Sequence, residues 1–118
     1  GFTDVFFCPM MVLDLADLLV EAALKNLQGI YHLVGADVMS KYDFGVAIAR
    51  TFGFDSSLIL PSSIDKGDLV APRAHHLDLD THKITEALGH PLPDFENGMN
   101  KFFDQYRRGF PQYIRSLA

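Results

Sequence analysis

Residues 12–34 read VLDLADLLVEAALKNLQGIYHLV, and the fold class turns on how this stretch is understood. In its first part Asp14, Asp17, Glu21, Lys25 and Gln28 recur every three or four positions. That spacing predicts a helix over 12–28 with one narrow polar stripe on an otherwise apolar surface. The apolar arc is wider than a helix lying on a surface needs, so neighbours are expected on two sides. Gly29 stands where a left-handed cap residue would close the helix. The next five residues, IYHLV, form a short, continuously apolar run of the kind that makes a strand buried on both faces. A helix feeding a doubly buried strand indicates an α/β arrangement.

Outward from there, residues 35–44 read GADVMSKYDF and bring Ser40, Lys41 and Tyr42 together. Serine, tyrosine and lysine are the working groups of a hydride-transfer site in which a lysine one helical turn after the tyrosine lowers the phenol's pKa. Four residues after Tyr31, Tyr42, Tyr106 and Tyr113 stand Gly35, Val46, Phe110 and Leu117, so no tyrosine has that lysine. The pattern fits a capping box instead, with Ser40 as N-cap, Asp43 returning the bond, and Met39 and Phe44 as flanking apolar contacts. A helix to about Phe52, ending at Gly53, follows from it.

The remaining segments alternate in the same way. SSLILPSS over 56–63 reads as a strand stopped by Pro61, and 64–74 reads as a long loop. HHLDLD over 75–80 alternates as a strand, with His76, Asp78 and Asp80 on one face. Asp80 or Thr81 caps a short helix to Leu88, and Asp94 caps a last helix whose Phe95, Met99, Phe102, Phe103, Tyr106 and Phe110 share an apolar stripe. The expected architecture is a single α/β unit over 1–118, with short strands alternating with about four helices.

Composition narrows the function. The 118 residues suffice for one core, and no apolar run approaches the roughly 18 residues that span a bilayer. A net charge of -5 without a Lys/Arg cluster argues against nucleic acid as a partner. The single cysteine, Cys8, reads as a small buried apolar group and fits a reducing cytoplasm. No G-x-G-x-x-G turn or P-loop is present to hold a nicotinamide cofactor. His75, His76, Asp78 and Asp80 lack the spacing of a metal motif and read as polar groups on an edge strand, and His32 reads as a hydrogen-bonded core histidine. No catalytic, cofactor-binding or metal-ligating residue is therefore expected. Arg73 is the one candidate binding residue, because it lies in the Gly- and Pro-containing loop before a strand, and guanidinium is shaped for bidentate contact with phosphate or carboxylate.

Five segments in order carry a family resemblance: CPMMVLDLADLL, GIYHLVG, SKYDF, APRAHHLDLDTHKI and ALGHPLPDF. Together they resemble the C-terminal part of the dTDP-4-dehydrorhamnose reductases, an extended short-chain dehydrogenase/reductase group. The family's Ser-Pro-Thr, Ala-Pro-Arg-Pro and Leu-Asp stretches are recognisable, with departures at Met10, Ala74 and Leu77. The resemblance implies the C-terminal, substrate-binding portion of an extended Rossmann-type reductase of carbohydrate biosynthesis. The NAD(P)H site and the Tyr-x-x-x-Lys pair would belong to an N-terminal Rossmann half that this chain lacks. It further implies that Arg73 contacts a nucleotide-diphosphate sugar, that this chain alone is inactive, and that the over-apolar helix over 12–28 packs on the absent half. Isolated from it, that helix is expected to drive self-association through Leu15, Leu18, Leu19 and Ala22. Two other readings remain: a fragment of a non-catalytic, reductase-like regulatory subunit, such as that of methionine adenosyltransferase, and a free-standing interaction domain.

Overall fold

The computed structural model describes residues 1–67 and 71–117. A small three-stranded sheet, order β2-β1-β3, is built from β1 (Phe6–Phe7), β2 (Met39–Ser40) and β3 (His76–Leu77). β1 runs antiparallel to β2, with Phe6 opposite Ser40, and parallel to β3, with Phe6 opposite His76. Five α-helices surround it: α1 (Val12–Leu24), α2 (Lys41–Phe52), α3 (His82–Leu88), α4 (Phe95–Arg107) and α5 (Phe110–Ser116).

α1 is shorter than its polar stripe predicts. Lys25 caps it, and Asn26, at φ 52°, is the left-handed residue that ends it, while Gly29, also at positive φ (96°), lies beyond the helix. The amides of Asn26 and Leu27 donate to the carbonyls of Ala23 and Ala22, the paired bonds that satisfy a helix's last carbonyls. α2 begins as its sequence predicts: Ser40 Oγ accepts from the Asp43 amide at 3.0 Å. The Asp43 carboxylate in turn accepts from the Ser40 hydroxyl, at 2.6 Å, rather than from the Ser40 amide. Thr81 is the N-cap residue of α3, but the capping hydrogen bond comes from Asp80, whose Oδ1 accepts from the His82 amide. Asp94 caps α4 through the Asn97 amide. The expected last helix divides in two because Gly109 adopts φ 78°, a conformation that breaks the helical run before Phe110.

The strands fall short of expectation. Residues 30–34 join no ladder, 56–63 contribute a 3₁₀ turn (Ser56–Leu58) and one bridge from Ser62 to Phe2, and only His76 and Leu77 of 75–80 are paired. The loop expected over 64–74 opens with a 3₁₀ turn (Ile64–Lys66), and its 68–70 portion lies outside the described residues.

Two apolar clusters hold the elements together. Leu18 of α1, Ile84 and Leu88 of α3, and Leu92 form one, with Met10, Leu27, Tyr31 and Leu33 packed around it. The other is aromatic: the Phe52 ring meets Phe54, Phe102, Phe103 and Tyr106 at centroid distances of 5.1 to 6.1 Å. Leu18 is thus a core residue and not a contact on a free face. The exposed side of α1 is Val12, Leu13, Ala16, Leu19, Val20, Ala23 and Leu24.

Candidate functional site

The chain leaving β1 crosses the protein closely before it becomes α1. A methyl group on Gly35 would lie 2.0 Å from the Pro9 carbonyl oxygen, so only glycine lets residues 35 and 9 pass. Beyond that crossing, residues 8–12 form one wall of a cleft of about 440 Å³. Phe44 and Ile48 of α2 form a second wall, and Phe95, Met99 and Phe102 of α4 a third. Phe44 is placed by the Ser40 cap and stands between Phe7 and Phe95, at 5.2 and 5.8 Å between ring centroids. The cleft is apolar, with the Cys8 side chain and Asp94 among its few polar groups. Asp94 is already engaged in capping, since its two oxygens accept from the amide and side chain of Asn97.

Behind the cleft lies a group that sequence periodicity misplaced. Asp14, read as part of a solvated stripe, is 5 % exposed and accepts from Lys101 Nζ of α4. That hydrogen bond raises the Lys101 pKa above the ordinary lysine value. The second carboxylate oxygen of Asp14 is buried with no hydrogen-bond partner among the described residues. Gly98 makes the approach of α4 feasible: a methyl there would meet Met11 Cβ at 3.3 Å and Asp14 Oδ2 at 3.8 Å. The only local signal was a glycine interrupting an apolar helix.

Arg73 is exposed and forms no ion pair among the described residues. It precedes β3 by three residues, at the end of the β1–β3 pair opposite to the cleft, and it does not line the cleft. The loop leading to it is tied down by Asp4, which accepts from Ser63 Oγ at 2.6 Å and from the Ile64 amide at 2.9 Å. The Ser63 hydroxyl first, and the Ile64 amide second, hold the Asp4 carboxyl below the usual carboxylate range.

The remaining polar candidates are dispersed. His76 pairs with Asp78 at 3.2 Å, His75 Nδ1 lies 3.0 Å from the Asp4 carbonyl, and Asp80 caps α3. Among the described residues no three His, Cys, Asp or Glu side chains converge as metal ligands. His32 does hydrogen-bond, to the Asp80 carbonyl at 3.1 Å, but it is exposed rather than in the core. Lys41 lies over the Phe7 ring, and Lys83 over the Tyr31 ring at 4.3 Å, against the aromatic face.

The helix starts differ in how far their amides are already engaged. A pyrophosphate needs free amides at a helix N-terminus. The starts of α2, α3 and α4 are occupied by Ser40 with Asp43, by Asp80, and by Asp94 with Asp37, whose carboxylate accepts from the Phe95 amide. α1 has no side-chain cap, but its first turn carries the Asp14 carboxylate, which disfavours a second anion.

With this geometry in place, comparison with known proteins is specific. The family model of the RmlD substrate binding domain matches residues 2–108. The chain belongs to this family. Its fold is that of two solved structures. One is dTDP-4-dehydrorhamnose reductase from Bacillus anthracis Ames in complex with NADP: TM-score 0.77, 21% identity, covering 88% of this chain and 37% of that one. The other is dTDP-4-dehydrorhamnose reductase from Yersinia enterocolitica: TM-score 0.74, 18% identity, covering 90% and 37%. No curated protein sequence matches. This RmlD substrate binding domain therefore spans little more than a third of the length of the reductases it resembles. α5 lies wholly beyond the family match.

Proposed function

We propose that this chain is the sugar-nucleotide-binding part of an NAD(P)H-dependent, dTDP-4-dehydrorhamnose reductase-like oxidoreductase, and that it is not catalytic alone. The observation that carries the reading is the family match over 2–108 in a chain covering 37% of an NADP-bound reductase. The lack of a G-x-G-x-x-G turn or P-loop in the sequence supports it from the other side. In this reading the short-chain dehydrogenase chemistry of the complete protein serves carbohydrate biosynthesis in the cytoplasm.

Arg73 is the proposed substrate contact. It is exposed, its guanidinium has no ion-pair partner among the described residues, and Asp4 anchors the loop before it. In the complete enzyme Arg73→Ala is expected to raise the sugar-nucleotide KM about ten- to a hundredfold, equivalent to roughly 1.4–2.8 kcal/mol, with the NADPH KM unchanged. Arg73→Lys recovers only part of the loss, because an ammonium keeps the charge without the fork. An unchanged sugar-nucleotide KM in Arg73→Ala refutes the assignment. Stoichiometric micromolar binding of NADPH to this chain alone, measured by calorimetry, refutes the division of labour.

A further inference from the structure

Both ends of the segment that carries Arg73 are held by one residue. At the leaving end the Asp4 carboxylate accepts from Ser63 Oγ at 2.6 Å and from the Ile64 amide at 2.9 Å. The Ser63 hydroxyl, oriented in this way, accepts in turn from the Asp65 amide at 3.2 Å and caps the 3₁₀ turn that follows. At the returning end the Asp4 carbonyl lies 3.0 Å from His75 Nδ1. A carbonyl oxygen only accepts, so Nδ1 carries the proton and donates it. The His75 carbonyl then accepts from the Phe6 amide at 2.8 Å, and His75 Nε2 stands 3.5 Å from Asp65 Oδ1, so the two ends also meet each other.

Asp4 is half-buried, precedes β1 and does not line the cleft. What its bonds fix is the backbone on either side of Arg73, which stands two residues before His75 and so within about 7 Å of it along the chain. An exposed arginine on a free backbone would lose both backbone and rotamer freedom on gripping an anion. On a backbone already pinned at both ends it loses little more than rotamer freedom, and the difference appears as affinity.

We propose that Asp4 is a positioning residue for substrate binding: it holds the backbone around Arg73 through its carboxylate at Ser63 and Ile64 and through its carbonyl at His75, and touches no ligand itself. This step rests on Arg73 as the substrate contact. The position suits an aspartate, because one carboxylate takes a hydroxyl and an amide together. The Ser63 hydroxyl first, and the Ile64 amide second, hold that carboxyl below the usual carboxylate range, so the clamp stays charged at neutral pH. Asparagine keeps one acceptor oxygen, enough for the Ile64 amide, but offers the Ser63 hydroxyl an NH₂ group. Alanine keeps only the backbone bond at the His75 end.

Steady-state kinetics and hydrogen exchange on the full-length protein test it together. Asp4→Ala is expected to raise the sugar-nucleotide KM about tenfold, with kcat and the NADPH KM unchanged, and Asp4→Asn to fall between it and the wild type. Exchange at the Ile64, Asp65 and Gly67 amides should quicken about tenfold in Asp4→Ala while the Phe6 amide keeps its protection. Because Asp4 acts only through Arg73, Asp4→Ala should add less than about twofold to the KM of an Arg73→Ala enzyme. The same factor in both backgrounds overturns the route through Arg73. Unchanged exchange at 64–67 overturns the clamp, and an equal rise in the NADPH KM reduces Asp4 to a general support of the fold and overturns the proposal. A raised KM in Arg73→Ala beside an unchanged one in Asp4→Ala overturns the positioning role alone, whereas an unchanged KM in Arg73→Ala removes the substrate reading and the proposal with it.

Discussion

Replacing Ser40 by alanine separates a structural serine from a chemical one. Ser40 is 2 % exposed, and its Oγ both accepts from the Asp43 amide at 3.0 Å and donates to the Asp43 carboxylate at 2.6 Å. Loss of an N-cap oxygen costs about 1 kcal/mol on average. The amide left behind is partly buried, which pushes the cost upward, since an unsatisfied buried donor costs about 1–3 kcal/mol. The carboxylate of Asp43 is exposed and recovers water, so its lost bond adds little. The backbone of Ser40 stays paired in β2, opposite Phe6, and limits the damage to the helix start. The expected sum is about 1–2 kcal/mol, which at a urea m-value of about 1–3 kcal/mol/M lowers the midpoint by roughly 1 M. Urea denaturation followed by far-ultraviolet circular dichroism measures it. A midpoint unchanged within about 0.2 M would refute the capping argument. A loss of turnover in the full-length protein at unchanged stability would restore the Ser-Lys-Tyr cluster as chemistry.

Three further expectations follow from the same geometry. Lys101→Met should lower the midpoint more than Asp14→Ala, because the first strands a carboxylate that is 6 % exposed while the second leaves an ammonium side chain that is 57 % exposed; equal losses would contradict the buried-carboxylate account. Gly35→Ala should destabilise by about 1–3 kcal/mol or more, since its methyl meets backbone at 2.0 Å, whereas Gly45→Ala inside α2, with only ordinary contact to Ile59, should stabilise by about 0.5–1 kcal/mol; thermal melts decide both. His90 has its pKa raised by the Pro91 carbonyl first and by Glu21, 2.9 Å away, second. Its folded pKa exceeds its unfolded one, so its stabilisation is complete below about pH 6.5 and is lost as pH rises through the folded value. A Glu21→Gln variant should show a weaker fall of Tm between pH 6 and 8 than the wild type.

Much of the helical framework was readable from residues close together in sequence. Ser40 and Asp43, and Asp94 and Asn97, close their bonds within one turn, so the starts of α2 and α4 were available to a local reading. The termination of α1 was not, because Asn26 and Gly29 both tolerate the left-handed conformation and only the carbonyl bonds of Ala22 and Ala23 decide between them. Asp14 fits the polar periodicity of α1 and is nevertheless buried, since the partner that settles its position is Lys101 on α4. Leu18 and Leu19 are adjacent and equally apolar, yet one is core and the other outer surface. The strands over 30–34 and 56–63 were read from composition, which records what a segment is suited to pair with and not whether a partner lies in the same chain. The cleft gave almost no sequence signal, as its walls come from residues 8–12, α2 and α4, and its lining is ordinary apolar packing material. Family segments recovered the fold class because order along the chain survives even where spacing chemistry is missing.

The sheet has a consequence for how the molecule is assembled in time. Each strand is only two residues long, and the ladder joins Phe6 to Ser40 and, about seventy positions away, to His76. Closing loops of that length is entropically unfavourable and is offset here by very few ladder bonds. Helices whose caps lie within one turn can form and dissolve on the microsecond scale before any such closure occurs. The sheet is therefore the last element to form, and it fastens rather than nucleates: helices that have already met through Leu18, Ile84 and the Phe52 rings bring Phe6 within reach of both partners. Mutations in those helices should slow folding, while mutations at Phe6 or Leu77 should chiefly speed unfolding.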